Sequence, residues 1–263
     1  MVDEKIRPSQ IKFTDAGNDK WRCDLCGKEV RGRRGVGGHK GAHTGKASAW
    51  RSRFATRTEL AAAPVAQRGR FAMVRRTTGE TNVNATITLD GTGKAACRTG
   101  VGFLNHMIAQ IARHGLLDIT VQAESKDGSS HHVVEDVAIV LGRALREALG
   151  DGAGLTRMGD ATVPLDEALA MCAVDLSGRP YAVINTDLHG QDVEGLPGDM
   201  IDHFLETFAL EARIGLHCRV LYGRNAHHKA EALFKALARS LRVAVVVDPR
   251  LGGAAPSTKG KIG

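Results

Sequence analysis

The sequence predicts an α+β fold made of two similar halves, each a small β-sheet with helices packed on one face, preceded by a small N-terminal module. Three observations support this prediction. One pattern of histidines and glutamates occurs twice, about 96 residues apart. Apolar residues follow strand-like and helix-like periods in alternating segments. Positive charge is concentrated at the N-terminus, which indicates a separate module there.

The N-terminal segment differs from the rest of the chain in charge. Residues 1–69 contain 15 Lys and Arg against 7 Asp and Glu, whereas residues 70–263 contain 21 against 22. We therefore expect a basic module over 1–46 and a linker over 47–69. The body over 70–263 then contains two internal repeats, about 70–160 and 161–263.

The basic module contains a metal-binding pattern. Cys23, Cys26, His39 and His43 have the spacing Cys-x2-Cys-x12-His-x3-His, which is typical of a zinc finger with two cysteine and two histidine ligands. Thiolates and imidazoles in a closed set of four suit Zn²⁺, which would supply folding energy that about 30 residues lack in a core. The alternative is a disordered basic tail.

The same module is a poor candidate for reading a nucleic-acid sequence. In a finger of this type, the positions that contact bases would be Gly32, Gly35 and Gly38, and glycine has no side chain to reach a base edge. The neighbouring basic residues can still meet phosphates; these are Arg31, Arg33, Arg34 and Lys40. Any nucleic-acid contact is therefore expected to be non-specific and sensitive to salt.

In the first half, alternating apolar residues predict a strand over 81–89, and residues 90–93 predict a hairpin turn into another strand. A helical stripe follows over 101–114. Residues 117–124 predict a strand, and residues 133–149 a long helix. The second half repeats this order.

The second half is predicted to contain a strand over 173–187 and a helix over 199–212. A strand over 215–222 and a helix over 226–243 follow. The match to the first half favours an internal duplication, because a period near 96 residues is too long for a solenoid repeat.

The repeated pattern is a lone histidine, then a histidine pair about 25 residues later, with a glutamate four positions after the first histidine of the pair. The first copy is His106, His131, His132 and Glu135, and the second is His203, His227, His228 and Glu231. On a helix, positions i and i+4 share a face, so His131 with Glu135 can hold one metal ion. His227 with Glu231 can hold another.

The second histidine of each pair needs a different role. Adjacent helical positions point about 100° apart, so His132 and His228 are expected to serve a second ion or the site of another subunit. The eight residues divide into two metals, each with three imidazoles and one carboxylate. Open positions remain on an ion that prefers six ligands, such as Mn²⁺, and zinc is the second choice.

Composition excludes several classes of protein. The chain has 263 residues, 43% of them hydrophobic, which is ordinary for a globular protein. No apolar run approaches 18 residues and no leader pattern is present, so neither a membrane span nor secretion is expected. The five cysteines are an odd number and, apart from the close pair Cys23 and Cys26, are widely scattered, so they do not indicate a disulfide framework. A reducing cytoplasm is the expected location.

Several segments of the body resemble one enzyme family. They are Gly102-Phe-Leu-Asn-His-Met, His131-His-Val-Val-Glu-Asp, Asp166-Glu-Ala-Leu, Asp175-Leu-Ser-Gly-Arg-Pro, Gly223-Arg-Asn-Ala-His-His and Pro256-Ser-Thr-Lys-Gly. Together they resemble imidazoleglycerol-phosphate dehydratase of histidine biosynthesis. The resemblance runs from about residue 70 to the C-terminus and leaves residues 1–69 outside.

The resemblance implies a reaction and a cofactor. Such enzymes remove water from imidazoleglycerol phosphate to give imidazole acetol phosphate. Two Mn²⁺ ions per active site would stabilise an imidazolate form of the substrate, which can expel the hydroxyl through a diazafulvene-like intermediate. The family also assembles into shells of typically 24 subunits, so a high-order homo-oligomer is expected.

The resemblance also implies roles for individual residues. Glu80 is the candidate for proton transfer, and Glu167 contacts either the substrate hydroxyls or other protein groups. The family's positions for the substrate phosphate are Arg157, Arg179, Lys235, Ser257, Thr258 and Lys259. One departure is Asn105, where members usually carry an aspartate that could orient a ligand imidazole.

Two alternatives remain open, one in another class of protein and one among enzymes. One is a zinc-finger nucleic-acid-binding protein with an inactive dehydratase-like body, which the basic N-terminal segment favours. The other is a binuclear metallohydrolase, which would release phosphate instead of an acetol phosphate.

Overall fold

The computed structural model describes residues 13–17, 20–23, 29–31 and 69–262. The chain divides into two compact units, Met1–Arg68 and Gly69–Gly263. Except for residue 69, the linker predicted over 47–69 lies outside the described residues.

The described part of the first unit is a three-stranded antiparallel sheet. Its strands are β1 (Phe13–Gly17), β2 (Lys20–Cys23) and β3 (Glu29–Arg31). Cys23, at the end of β2, is buried. The other three residues of the predicted zinc site, Cys26, His39 and His43, lie outside the described residues.

The second unit begins with a four-stranded sheet and two helices. The elements are β4 (Phe71–Thr77), β5 (Thr81–Thr88), β6 (Ala95–Arg98), α1 (Gly102–Gly115), β7 (Asp118–Ser125) and α2 (Ser130–Leu149). The strand order is β4-β5-β7-β6, with β6 parallel to β7 and the other pairs antiparallel. Along β5, buried and half-buried positions alternate, because one face of the sheet lies against the helices.

The remaining elements of this unit form a second four-stranded sheet, a separate two-stranded sheet and further helices. They are β8 (Met158–Leu165), β9 (Ala168–Asp175), β10 (Tyr181–Asn185), β11 (Asp192–Val193), β12 (Leu196–Pro197), α3 (Gly198–Ala212), β13 (Gly215–Tyr222), α4 (Ala226–Ala244) and a short 3₁₀ helix (Pro249–Leu251). The strand order is β8-β9-β13-β10, again with only the last pair parallel. The two sheets therefore have the same topology. The chain is an α+β protein.

The helices pack across the two halves. Helix α1 packs against α4, and α2 packs against α3, while α2 also covers β4 and β5 and α4 covers β8 and β9. Gly142 of α2 shows how close the helices come, since a Cβ there would lie 2.7 Å from the backbone oxygen of Phe208 in α3. Each lone histidine is consequently carried on a helix that faces the histidine pair of the other half.

The predicted hairpin at residues 90–93 is wrong. Strand β5 pairs with β4 and β7, and β6 runs parallel to β7, so the chain crosses over between β5 and β6. The reason is a contact that local sequence does not reveal. Asp118, at the start of β7, accepts hydrogen bonds from the backbone nitrogens of Thr92 (2.8 Å) and Lys94 (2.9 Å).

The single strand predicted over 173–187 is also wrong. The chain forms β9 and β10 in its place, and they flank β13 on opposite sides. The break falls in the Leu176–Pro180 region, where Gly178 has φ 74° and the proline cannot donate a backbone hydrogen bond. Strand β4, which pairs along β5, was not predicted.

Two cysteines lie opposite each other on adjacent strands. Cys172 of β9 and Cys218 of β13 are register partners and form a disulfide. The sequence did not indicate this pairing, because the number and spacing of cysteines say nothing about strand register. None of the described helices is long and apolar enough to cross a membrane.

Candidate metal centre and active site

The two histidine pairs lie in the first turns of equivalent helices. Ser129 caps α2 by accepting a hydrogen bond from the backbone nitrogen of His132 at 3.4 Å. Asn225 caps α4 by accepting one from the nitrogen of His228 at 3.1 Å. These caps satisfy backbone donors that have no partner within the helix at its start. They also fix the residue at which each helix begins, and hence the position of each histidine pair in the first turn.

One cluster joins α1 to α4. The carboxylate oxygen Oε2 of Glu231 lies 3.1 Å from Nε2 of His106 and 2.9 Å from Nε2 of His227. The three potential ligand atoms lie within 4.8 Å of one another. Lys235 also approaches this carboxylate, with its Nζ 2.8 Å from Oε1. Burial alone would raise the pKa of Glu231, but hydrogen bonds from Lys235, His106 and His227 lower it to about 2.

The other cluster joins α2 to α3. Its potential ligand atoms, from His131, Glu135 and His203, also lie within 4.8 Å of one another. The separations are longer here: Oε2 of Glu135 is 4.0 Å from Nε2 of His131 and 3.9 Å from Nε2 of His203. Nε2 of His203 is buried and has no hydrogen-bond partner among the described residues.

Each cluster therefore takes side chains from both halves. The sequence predicted that His131 with Glu135, and His227 with Glu231, could each share one ion. It did not show that His203 joins the first pair and His106 the second. The crossing follows from the packing of α1 on α4 and of α2 on α3.

The second histidine of each pair lies outside these two clusters. Nδ1 of His132 is 2.5 Å from Oδ2 of Asp127, and Nδ1 of His228 is 2.6 Å from Oε2 of Glu167. His132 forms a third group of potential ligands with Asp127 and Glu80. Both histidine side chains are partly exposed.

Glu80 and Glu167 differ in their surroundings. Glu80 precedes β5, and its carboxylate is more than half exposed and 3.9 Å from Nε2 of His132. Glu167 precedes β9, and its Oε1 accepts hydrogen bonds from the backbone nitrogens of Arg224 (3.1 Å) and Asn225 (2.8 Å). Hydrogen bonding from His228 and then from Asn225 lowers the pKa of Glu167 to about 2. Of the two roles predicted for Glu167, the contacts within the chain are those of protein pairing.

The turn that carries Glu80 is fastened to α2 by a buried aspartate. Asp136 accepts hydrogen bonds from Nε of Arg76 (2.6 Å), from the hydroxyl of Thr78 (3.4 Å) and from the hydroxyl of Thr81. A buried carboxylate is stabilised by such pairing and hydrogen bonding. Glu80 is therefore held near the start of α2 by rigid neighbours.

Five of the six residues predicted to bind phosphate line one cavity of about 640 Å³; they are Arg157, Arg179, Ser257, Thr258 and Lys259. Arg157 is held in place by Asp175, with Nε to Oδ1 at 2.7 Å and a second contact at 3.0 Å. The remaining residue, Lys235, pairs with Glu231 in the α1–α4 cluster instead.

Asn105 does not orient a histidine. Its Oδ1 accepts hydrogen bonds from the backbone nitrogen (3.1 Å) and the hydroxyl (2.9 Å) of Thr99. The equivalent residue of the second half, Asp202, accepts a hydrogen bond from the hydroxyl of Thr186. Either an amide or a carboxylate oxygen serves this purpose, which is to fasten the end of an edge strand to the following helix.

Sequence reasoning missed three acidic neighbours of the paired histidines, one of which is Asp166, whose Oδ2 lies 3.5 Å from Nε2 of His228. Asp127 contacts His132, and Glu194 lies 2.8 Å from Nδ1 of His227. Asp127 precedes the N-cap of α2 by two residues, and this position close to a histidine pair is a signal that could have identified it. Glu194 lies in the short β11–β12 turn, which gives no such signal.

The fold carries two clusters of imidazoles and carboxylates and, separately, a cavity lined by basic residues, which together are typical of an enzyme that acts on a phosphorylated substrate. The imidazoleglycerol-phosphate dehydratase family model matches residues 99–241. Relatives with this name include those of Dehalococcoides mccartyi (strain CBDB1), 54% identical over 73% of this chain and 97% of that protein, and Streptomyces coelicolor, 50% identical over 73% and 99%. The chain belongs to the imidazoleglycerol-phosphate dehydratase family of histidine biosynthesis, and it is a hydro-lyase.

Solved structures agree with this assignment. The Staphylococcus aureus imidazoleglycerol-phosphate dehydratase matches with a TM-score of 0.61 and 34% identity, over 68% of this chain and 99% of that one. The Pyrococcus furiosus enzyme matches with a TM-score of 0.62 and 35% identity, over 72% and 100%.

Proposed function

We propose that the chain dehydrates imidazoleglycerol phosphate to imidazole acetol phosphate with two Mn²⁺ ions per active site, held by the two cross-half clusters. The first cluster is His106, His227 and Glu231, and the second is His131, Glu135 and His203. A cytoplasmic location is part of this proposal.

The observation that supports metal binding most directly is the buried Nε2 of His203, which has no protein partner among the described residues. Its distance to the Glu135 carboxylate, 3.9 Å, is too long for a hydrogen bond. Ligands that lie about 2.1 Å from one ion are roughly 3–4 Å apart, so the spacing fits two ligands of a shared ion. An ion would also satisfy the buried nitrogen.

The donor set indicates which ion and how many further ligands. Two imidazoles and one carboxylate per cluster suit Mn²⁺, with Zn²⁺ as the second choice. His132 and His228 lie outside both clusters of the same chain and are partly exposed. We propose that each completes a metal centre of a second copy, so that active sites form only in a homo-oligomer, for which 24 subunits is the expected number.

The chain's own residues would bind substrate and move protons. The cavity lined by Arg157, Arg179 and Lys259 would hold the phosphate dianion through charge-assisted hydrogen bonds. The exposed carboxylate of Glu80 would take the proton from the substrate carbon and pass it to the departing hydroxyl, which leaves as water. Bound metal supplies Lewis-acid stabilisation of negative charge on the imidazole ring.

An assay of the purified full chain tests this proposal. After chelation, dehydration of imidazoleglycerol phosphate should stop, and it should return when Mn²⁺ is added. Release of inorganic phosphate in place of an acetol phosphate would favour the metallohydrolase alternative. Full activity of a chelated, metal-free monomer would contradict both the proposed metal requirement and the proposed sharing of active sites between subunits.

We propose separately that Cys23, Cys26, His39 and His43 bind one Zn²⁺. The spacing supports this, as does the place of Cys26 in the sequence between β2 and β3. With Co²⁺ in place of zinc, only thiolate ligands give a sulfur-to-metal charge-transfer band. Replacing both thiolates, Cys23→Ser together with Cys26→Ser, in the full chain should remove that band, whereas Cys97→Ser should retain it. A band that survives the double replacement would contradict the proposal.

Nucleic-acid binding by this module is expected to be non-specific. In a gel-shift titration, the full chain should lose nucleic-acid binding as the salt concentration is raised to about 200 mM. The nucleic-acid-binding alternative requires binding to persist at that concentration.

We also propose that the two halves arose from one duplicated unit. Identical strand order, the same parallel edge pair and the repeated histidine pattern support this origin.

A further inference from the structure

The two hairpin glutamates occupy equivalent places in the two sheets. Glu80 immediately precedes β5, and Glu167 immediately precedes β9. Strands β5 and β9 hold the same position in their sheets, each antiparallel to the strand that leads into a histidine-pair helix. Both glutamates consequently approach the start of an equivalent helix. Their contacts nevertheless differ.

In the second half, Glu167 is fully engaged by the protein. Oε1 accepts hydrogen bonds from two backbone nitrogens, at 3.1 and 2.8 Å, and Oε2 lies 2.6 Å from Nδ1 of His228. A carboxylate on Nδ1 fixes the proton there and leaves the lone pair on Nε2, the nitrogen that can bind a metal. Glu167 thus sets both the tautomer and the orientation of His228.

In the first half, a different residue occupies this role. Asp127 places Oδ2 2.5 Å from Nδ1 of His132, while its Oδ1 accepts hydrogen bonds from the backbone nitrogen of Ser129 (2.9 Å) and the hydroxyl of Ser125 (3.1 Å). Glu80 is left 3.9 Å from the opposite nitrogen, Nε2. Because Asp127 holds the ring, Glu80 is not required for that purpose.

Packing explains why the second half has no equivalent of Asp127. The residue 96 positions later is Gly223. A Cβ at this glycine would lie 2.7 Å from Cγ of Lys229 and 2.8 Å from Cβ of Ala168. A side chain does not fit there without a shift of its neighbours, and the hairpin glutamate is the acidic group that reaches Nδ1 of His228. Asp166, next to it, lies 3.5 Å from the opposite nitrogen, Nε2.

We infer that Asp127 and Glu167 are equivalent positioning residues that direct Nε2 of His132 and of His228 towards metal, and that Glu80 alone of the two hairpin glutamates carries protons. This inference rests on the proposed manganese centres. It assigns Glu167 a role away from the substrate.

Manganese binding and turnover, measured separately on the full chain, test the inference. The variants are Asp127→Asn, Glu167→Gln and Glu80→Gln, with Glu147→Gln as a control because Glu147 is an exposed glutamate near the far end of α2. Free Mn²⁺ can be followed by its electron paramagnetic resonance signal. Asp127→Asn and Glu167→Gln should weaken manganese binding by about 10- to 100-fold. Their kcat should recover at saturating Mn²⁺.

Glu80→Gln should show the opposite behaviour, with manganese affinity like that of the parent and a kcat that added Mn²⁺ does not restore. Glu147→Gln should change neither quantity. If Glu167→Gln fails to fold, Glu167→Asp retains the charge with a shorter reach and should weaken manganese binding. Asp127→Asn tests the same role independently in the first half.

The inference is overturned if Glu167→Gln binds Mn²⁺ like the parent but loses kcat at saturating metal, because Glu167 would then contact substrate. It is also overturned if Glu80→Gln weakens metal binding as much as Asp127→Asn does. Failure of the parent chain to bind Mn²⁺ would instead remove the proposed metal centres themselves, so the two failures are distinguishable.

Discussion

The two histidine–glutamate clusters come from one repeated pattern but differ in how the protein holds them. In the α1–α4 cluster, Glu231 contacts both histidines within 3.1 Å and also pairs with Lys235. In the α2–α3 cluster, the corresponding separations are 3.9 and 4.0 Å. The position equivalent to Lys235 is Ile139, so the first half has no cation at that point.

This difference shows that a shared ligand pattern does not imply shared electrostatics. The α1–α4 cluster is held together by contacts within the protein, and Lys235 balances part of the charge on its carboxylate. Under the proposed metal binding, the α2–α3 cluster would depend more on its ion to bring the side chains together. The two proposed metal centres are thus expected to respond differently to the same change.

Replacing the ligand carboxylates should give the largest effects. Glu135→Gln and Glu231→Gln should each reduce kcat/KM by at least about 100-fold, because each removes a proposed direct metal ligand. Loss of a residue that only contacts a ligand costs about 10- to 100-fold. Glu231→Gln should also lower the free energy of unfolding of the metal-free protein by about 1–3 kcal/mol, because it leaves the largely buried Lys235 unpaired. Glu135→Gln should not.

Steady-state kinetics with added Mn²⁺ and calorimetric unfolding after chelation measure these effects. Equal stability losses in the two variants would remove the proposed difference between the clusters.

Chelation should loosen the two clusters unequally. Without metal, the backbone amides of α3 around His203 should exchange with deuterium faster than before, because that side chain loses its one proposed partner. The amides of α1 around His106 should change less, since Glu231 still contacts this histidine at 3.1 Å. Hydrogen–deuterium exchange measured by mass spectrometry on chelated and Mn²⁺-loaded protein tests this. Uniform change in both helices is the contrary result.

Removing the cation beside Glu231 should have a moderate effect on manganese binding. Lys235→Met should strengthen manganese binding at the α1–α4 cluster by a few-fold, because a competing positive charge is removed. The matched variant Lys259→Met removes a cation from the phosphate cavity and should mainly raise KM for the substrate. Manganese titrations and KM values for both variants make the comparison. A larger rise in KM for Lys235→Met than for Lys259→Met would show that Lys235 contacts the phosphate, as the sequence resemblance implied.

The smallest effect is expected at the residue before each lone histidine. Asn105→Asp copies the arrangement of Asp202 in the second half, where a threonine hydroxyl donates to the acid. Manganese affinity should change by less than about two-fold, and the free energy of unfolding by roughly 0.5 kcal/mol or less. Manganese titration and chemical denaturation measure both. A large gain in metal affinity would indicate that the amide does weaken the site.

Local sequence predicted those parts of the fold that depend on local periodicity. The helices that carry the histidines and glutamates lie within a few residues of their predicted ranges, because apolar stripes and polar caps are local signals. The histidine–glutamate pairs four residues apart share helix faces as expected. The residues predicted to bind phosphate were identified only through the family resemblance, because each of them alone resembles an ordinary charged or polar surface residue.

The remaining features depend on distant parts of the chain. The packing of helices across the halves decides which lone histidine meets which pair. No sequence pattern around His106 or His203 predicts it. The prediction of a hairpin at residues 90–93 was wrong for the same reason. Asp118, in a later strand, holds that loop through hydrogen bonds to its backbone. The contacts of Glu167 likewise depend on where the β8–β9 turn meets α4.

The crossing of ligands between halves has an evolutionary consequence. A primordial polypeptide of one half's length would have carried a lone histidine on one helix and a histidine–glutamate pair on another, with neither facing the other within the same molecule. It would have assembled both clusters only by pairing with a twin. Under the duplication proposed above, joining two such copies in one chain would have made that partnership permanent.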